Sequence, residues 1–304
     1  MLKKHQPALT IEEQIENLKS IGLIIDDEAY AKRILNDISY FRLIKAYSLG
    51  LKPTNGNYKS DVTFEHIVSL YLFNAHLRKI ILSEIERIEV NLRCRTANYF
   101  CTKYGVLGYK DPANFNNDTY HAEFLNDVAT ELSRNANAPF VKNFQTNYEG
   151  GDLPFYALVE LLSFGSLSKF FKNLKNNDKK TISHQFGVGY TYLESWVESI
   201  SYVRNICAHY GRLYNAFLSK KPILYSQYTT SGISNKYIFA VILCLKHLLH
   251  KDSHWISFVE KLETLINSSS EINIRFLGFP ENWAAILKEP DTLSKTPQTQ
   301  KNAS

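Results

Sequence analysis

Residues Phe64 to Lys103 read FEHIVSLYLFNAHLRKIILSEIERIEVNLRCRTANYFCTK, a run with neither glycine nor proline. These two residues interrupt helices most strongly, one through backbone entropy and the other through a missing donor and a ring clash. Their absence leaves nothing to stop a helix. Leu77, Ile81, Ile85, Ile88 and Leu92 recur at spacings of four and three, which draws one apolar stripe along a helix and does not fit the alternation of a strand. The stretch predicts one long helix or two nearly collinear ones, and with it an all-α fold. Arg78, Lys79, Glu84, Glu86, Arg87, Glu89, Arg93 and Arg95 read as a solvated face with internal ion pairs.

Upstream, Thr10-Ile11-Glu12-Glu13 has the form of a capping box, so a helix is expected from Ile11 to about Ile21, ended by Gly22. Helices follow at Asp27 to Asn36 and Ile38 to Leu49, and the loop Lys52-Pro53-Thr54-Asn55-Gly56-Asn57 closes an amino-terminal helical subdomain, residues 1–60. Downstream, Gly105 to Phe115 is turn-rich, helices are expected at Thr119 to Arg134 and Pro139 to Tyr148, and Gly150 to Pro154 breaks the chain. Short helices at Phe155 to Ser163, Ser166 to Leu174 and Lys179 to Phe186 come next, with Gly165 allowing a sharp turn between the first two. A helix from about Tyr192 to Tyr210 belongs to a core of residues 61–220. Asn235 to His250 and Ser253 to Asn267 read as a helical hairpin and Glu281 to Leu287 as a last helix, within residues 221–288. Residues 289–304 lack apolar periodicity and are expected to form a disordered tail.

With 44% hydrophobic and 13% aromatic residues, 13 Gly and 9 Pro, the 304-residue chain can bury a large core without disulfides or a metal. The same numbers argue against disorder and against a turn-rich all-β fold. A net charge of +5 suits a phosphate-bearing partner without requiring one. Cys94, Cys101, Cys207 and Cys244 form no CxxC pair, and no signal segment is apparent, which points to reduced thiols in the cytoplasm. The longest apolar run, Tyr237 to Leu245, is about half of the roughly 20 residues that span a bilayer, so no membrane partner is expected.

On the helix beginning near Tyr192, the residues Leu193, Val197, Ile200, Arg204 and Ala208 share one row. Arg204 therefore continues an apolar stripe, and a guanidinium there requires a carboxylate, a phosphate or a subunit interface. Asn205 and His209 share the neighbouring face with Tyr202, which sets amide, imidazole and phenol side by side. Arg204 and His209 point about 140° from each other on an ideal helix and do not converge on one atom within a single copy. Two copies about a two-fold axis would supply the convergence and face both residues across a cleft suited to a phosphodiester. Spacing alone carries little weight, because ten Arg and nine His in 304 positions produce one such pair by chance about 0.3 times. Just before Gly211, His209 could equally bond the carbonyls of a last helical turn.

The surroundings carry more. Arg204-Asn205-Ile206-Cys207-Ala208-His209 followed by Arg212-Leu213-Tyr214-Asn215 resembles the RNxxAH and rlwN signature of abortive-infection (Abi) proteins of the AbiD/AbiF type. Further blocks resemble that family in order and spacing: Gln14 with Leu18 to Leu23, Ser39 to Leu43, Leu70 to Phe73 with Leu77-Arg78, Ile85 to Arg93, and Glu160 to Ser168. They span Leu9 to Asn215, about two thirds of the chain. Phe155-Tyr156 and Tyr214 stand where the family commonly has Trp, exchanges that leave the polar positions intact.

The resemblance implies a HEPN-like helical bundle with amino- and carboxyl-terminal helical additions, commonly dimeric and often a metal-independent ribonuclease without a cofactor. In that reading Arg204 binds and polarises the phosphate, His209 transfers protons and Asn205 orients. Tyr40, Arg42, Arg93, Glu160, Arg212 and Asn215 are supporting candidates for RNA contact or for orienting Arg204. Kinship also implies phage defence by host shutdown, with RNA as partner, including a cognate non-coding RNA. The reaction expected is attack of an RNA 2′-hydroxyl on the adjacent phosphorus, leaving cyclic-phosphate ends. The other reading is a non-catalytic RNA-binding module that forms a ribonucleoprotein.

His247, His250 and His254 would share one face of an uninterrupted helix and could hold zinc there, but Asp252-Ser253 reads as the end of one helix and the cap of the next. No metal is expected. No Walker loop, GxGxxG, HExxH or GxSxG occurs, which sets aside the usual nucleotide, zinc-protease and serine-hydrolase sites. The 19 Tyr and 18 Phe could stack bases, although aromatic stripes on helices more often fill a core.

Overall fold

The computed structural model describes residues 7–52, 56–249, 254–268 and 271–290. Regular structure among them is helical, apart from isolated bridges between Ile24 and Thr63 and between Phe115 and Leu174. Helix α1 (Ile11–Ser20) begins with the capping box, Thr10 Oγ1 accepting from Glu13 N at 3.2 Å and the Glu13 carboxylate from Thr10 N at 2.7 Å. Asp27 caps α2 (Glu28–Asp37). Helix α3 (Phe64–Tyr104) is unbroken over 41 residues, capped by Thr63 and ended at Gly105, which adopts φ 79°. The stripe from Leu77 to Leu92 is buried along its whole length.

After α3 come α4 (Asp118–Arg134), α5 (Pro139–Asn147), α6 (Phe155–Leu161), α7 (Phe164–Asn173), α8 (Asn176–Gln185) and α9 (Tyr190–Ala208). Then follow α10 (Ser226–Thr230), α11 (Ile238–Leu249), α12 (His254–Ile266) and α13 (Trp283–Lys288). Helix α3 is the common support: α6, α9, α11 and α12 all pack on it, while α7 joins α9 to α4. Phe100, Phe115, Phe124, Phe155 and Phe170 interlock with ring centroids as close as 4.5 Å, which locks α4, α6 and α7 onto the end of α3. That packing sets where Glu160 emerges.

Several local expectations change. The segment from Ile38 to Leu49 is not one α-helix: Ile38 is extended and caps α2, and Phe41–Lys45 forms a wider π turn. Two consecutive core residues, Leu43 and Ile44, are both buried there. The turn between α6 and α7 belongs to Leu162 and Ser163, both extended, with Ser163 capping α7, and Gly165 lies inside α7. The charged face of α3 is only partly solvated, because Arg78, Glu84 and Arg93 are buried. Its internal ion pairs exist, Arg87 with Glu84 and Arg93 with Glu89. Pro53 to Asn55, His250, the Asp252-Ser253 cap and the tail from residue 291 lie outside the described residues. Among the described residues no helix is long and apolar enough to cross a membrane.

Candidate functional site

Three contacts fix how α9 lies on α3. Arg204 Nε stands 3.6 Å from Glu89 Oε2, and beyond the helix end the Gly211 carbonyl accepts from Arg78 Nη1 at 3.1 Å and Asn74 Nδ2 at 3.4 Å. Rising numbers on α9 meet falling numbers on α3, so the helices are antiparallel. Between them and α6 lies a cleft of about 360 Å³ lined by Leu82, Glu86, Glu89, Val90, Arg93, Glu160, Arg204 and Ala208.

Arg204 keeps the row facing α3, and a carboxylate compensates it while 38% of its side chain stays exposed. The other oxygen of Glu89 accepts from Arg93, which also donates to the carbonyls of Val159 and Leu162. Arg93 is buried, and its donors close the carboxyl-terminal end of α6, whose last carbonyls have no helical partner. It thereby ties α6 to α3 and shares Glu89 with Arg204. Three carboxylates against two guanidiniums make the cleft lining acidic.

His209 does not line the cleft. It is the C-cap of α9, its backbone N donating to Asn205 O at 3.0 Å, and the His209 and Asn205 side chains are exposed. The chain leaves the helix through a Schellman turn, with Tyr210 N donating to Cys207 O at 3.2 Å and Gly211 N to Ile206 O at 2.7 Å. Tyr210 occupies the left-handed position at φ 58°. Gly211 follows for lack of room, since a Cβ there would meet Ile206 Cγ2 at 2.8 Å.

Three arginines grip the loop. Arg42 donates to Tyr210 O at 3.2 Å and lies over the Tyr210 ring at 5.8 Å, Arg78 holds Gly211 O, and Arg212 donates to Tyr214 O and Asn215 O, each at 2.7 Å. Buried Asn74 accepts from Leu213 N at 2.8 Å and Tyr214 N at 3.0 Å. Asn215, at φ 49°, donates its backbone N to Phe276 O at 3.1 Å. Tyr40 belongs elsewhere, beside Asn17 and with Lys45 over its ring at 5.9 Å; burial raises its phenol pKa.

The structure thus brings Arg204, Arg93 and Glu160 to the cleft, His209, Arg42, Arg212 and Asn215 to the loop, and Tyr40 to neither. Glu89, Asn74 and Arg78 were not among the sequence candidates. Asn74 carried a signal: it precedes Leu77 by three on the apolar stripe, where an amide needs buried partners.

His247 packs in the core, its ring 5.4 Å from that of Trp196 and its Nε2 3.1 Å from the Tyr228 hydroxyl, while His254 opens α12 at the surface. Among the described residues no group of His, Cys, Asp and Glu is arranged to hold a metal ion. Burial pushes the Cys207 thiol up to about 12.

The profile of the family described as "Abi-like protein" matches residues 33–215, a span that includes Arg42, all of α3, the cleft and the loop through Asn215. No curated protein and no solved structure matches the chain. Because the matched span is more than half of the 304 residues, the chain belongs to the Abi-like protein family, which supports a role in abortive infection, the defence against phage.

Proposed function

We propose that the protein acts in abortive infection as a metal-independent endoribonuclease of the HEPN type, its site completed by a second copy. The observation that carries this reading is the end of α9, where exposed Asn205 and His209 lie within about a turn of a partly exposed Arg204. In one copy Arg204 lines the cleft and His209 does not, and in this reading a second copy brings an imidazole to the phosphate held by Arg204.

The O2′–P bond forms and the P–O5′ bond breaks, with His209 taking the 2′ proton and an imidazolium returning one to the leaving oxygen. Arg204 stabilises the charge that builds on the phosphorane. Its contact with Glu89 is long and partly exposed, so exchanging that carboxylate for a phosphate costs little.

Purified protein is expected to cut single-stranded RNA in EDTA and leave cyclic-phosphate ends, and His209→Ala is expected not to. Equal cutting by the variant rejects the site. A second reading, a non-catalytic RNA-binding module within a ribonucleoprotein, is favoured by the three carboxylates beside Arg204. Toxicity retained by His209→Ala together with its copurifying RNA would select it.

A further inference from the structure

Among the described residues two non-glycine positions adopt positive φ, Tyr210 and Asn215. Asparagine enters the left-handed region readily, but a tyrosine there is strained and a glycine would be easier to fold. Apart from the Arg42 guanidinium over it at 5.8 Å, the ring is open to solvent, Tyr210 being 67% exposed. Backbone strain that persists at an exposed aromatic residue marks a place where the side chain serves something other than packing.

The surroundings indicate what that is. Phe41, next to Arg42 in the chain, is 78% exposed, a second large ring in water. Arg42, Arg78 and Arg212 direct their donors at loop carbonyls and make no ion pair with a carboxylate among the described residues. Carbonyls satisfy hydrogen bonds but do not neutralise charge, so the loop has a positive field, in contrast to the acidic cleft. Arg78 is buried and Arg42 is exposed at the Tyr210 ring. An open ring beside an uncompensated, exposed guanidinium is the chemistry that recognises unpaired nucleotides, the π-face taking a base and the cation its phosphate.

We infer that Tyr210, with Arg42, forms a nucleotide subsite for single-stranded RNA beside His209. A base stacks on the Tyr210 ring and the adjoining phosphate meets Arg42. The left-handed backbone, held by Arg42 at the Tyr210 carbonyl and by Arg78 at the next one, keeps the ring turned outward. The inference rests on the reading that RNA reaches His209.

The test uses anisotropy of a fluorescein-labelled decaadenylate with full-length protein in the His209→Ala background, alongside cleavage of unlabelled RNA by protein that retains His209. Tyr210→Gly is expected to raise the thermal midpoint, because strain is relieved, while weakening binding about ten-fold. Tyr210→Asn, which also accepts positive φ, is expected to do the same, and Tyr210→Phe to recover the loss. Binding that ignores Tyr210→Gly, or no decaadenylate binding in the parent, overturns the subsite. So does a loss of binding traced by sedimentation to a change in oligomeric state. Ring-dependent binding without any cleavage would leave the subsite standing and reject the ribonuclease, whereas cleavage with ring-independent binding would do the reverse.

Discussion

Glu89 and Arg204 face each other across the seam between α3 and α9 at 3.6 Å, while Arg93 holds the other oxygen of the same carboxylate. One acid therefore serves a buried guanidinium that supports α6 and a partly exposed one that opens on the cleft. The two demands differ, and a neutral isostere separates them.

Glu89→Gln removes a negative charge from beside Arg204 without changing shape. RNA affinity is expected to rise about five-fold, the equivalent of about 1 kcal/mol for one charge facing a partly exposed guanidinium. Stability is expected to fall by about 1–3 kcal/mol as Arg93 loses its charged partner. Gel-shift titration and urea denaturation read the two effects, and unchanged affinity would mean that Glu89 does not restrain Arg204.

Asn74→Ala leaves the amides of Leu213 and Tyr214 without their acceptor in a buried site. A loss of about 3 kcal/mol is expected in guanidinium denaturation. Asn74→Asp keeps the acceptor and is expected to lose less.

Asp178 is fully buried and accepts from the Tyr99 and Tyr104 hydroxyls, each at 2.7 Å, and from Lys103. Burial pushes its carboxyl up, but donation by Lys103, Tyr104 and Tyr99 outweighs that and holds it below the ordinary value. The unfolded chain then takes the proton first as pH falls. The stabilisation is complete above the unfolded value of about 4 and fades as pH drops through the lower folded one. Urea midpoints are expected to fall below about pH 4 in the native chain. They should follow a flatter profile in Asp178→Asn, which starts less stable at neutral pH.

The cysteines divide by exposure. Cys94 is exposed, Cys207 and Cys244 are buried, and burial raises both buried thiols. A chromogenic disulfide reagent at about pH 8 is expected to modify Cys94 first and to reach Cys207 and Cys244 only after denaturant. Peptide mass spectrometry checks the order.

What could be read in the sequence follows the range of the forces involved. The Thr10 capping box and the stripe from Leu77 to Leu92 are local, set by neighbours three or four residues away, and both appear as expected. Gly165 misled because a glycine can mark a turn without making one; the turn falls at Leu162, whose carbonyl is held by Arg93 from 69 residues away. The place of Arg204 on the row facing α3 was readable from helical pitch. The partners were not: Asn74 and Gly211 are 137 residues apart, and only the assembled α3–α9 pair reveals why an amide stands on an apolar row. The acceptors of Arg93, at Glu89, Val159 and Leu162, likewise come from the assembled helices and could not be read from the sequence.

Helix α3 spans 41 residues, a rod roughly 60 Å long. It meets the α9 segment at two stations, Glu89 opposite Arg204 and Asn74 with Arg78 opposite Gly211. A rod that engages a second element at two stations has to keep phase between them. One residue inserted or deleted between Arg78 and Glu89 would turn one station about 100° relative to the other. Either Arg204 would lose its carboxylate or the loop beyond His209 would lose its grip. The stretch from Asn74 to Glu89 thus acts as a key cut to one angular setting, intolerant of any change in length.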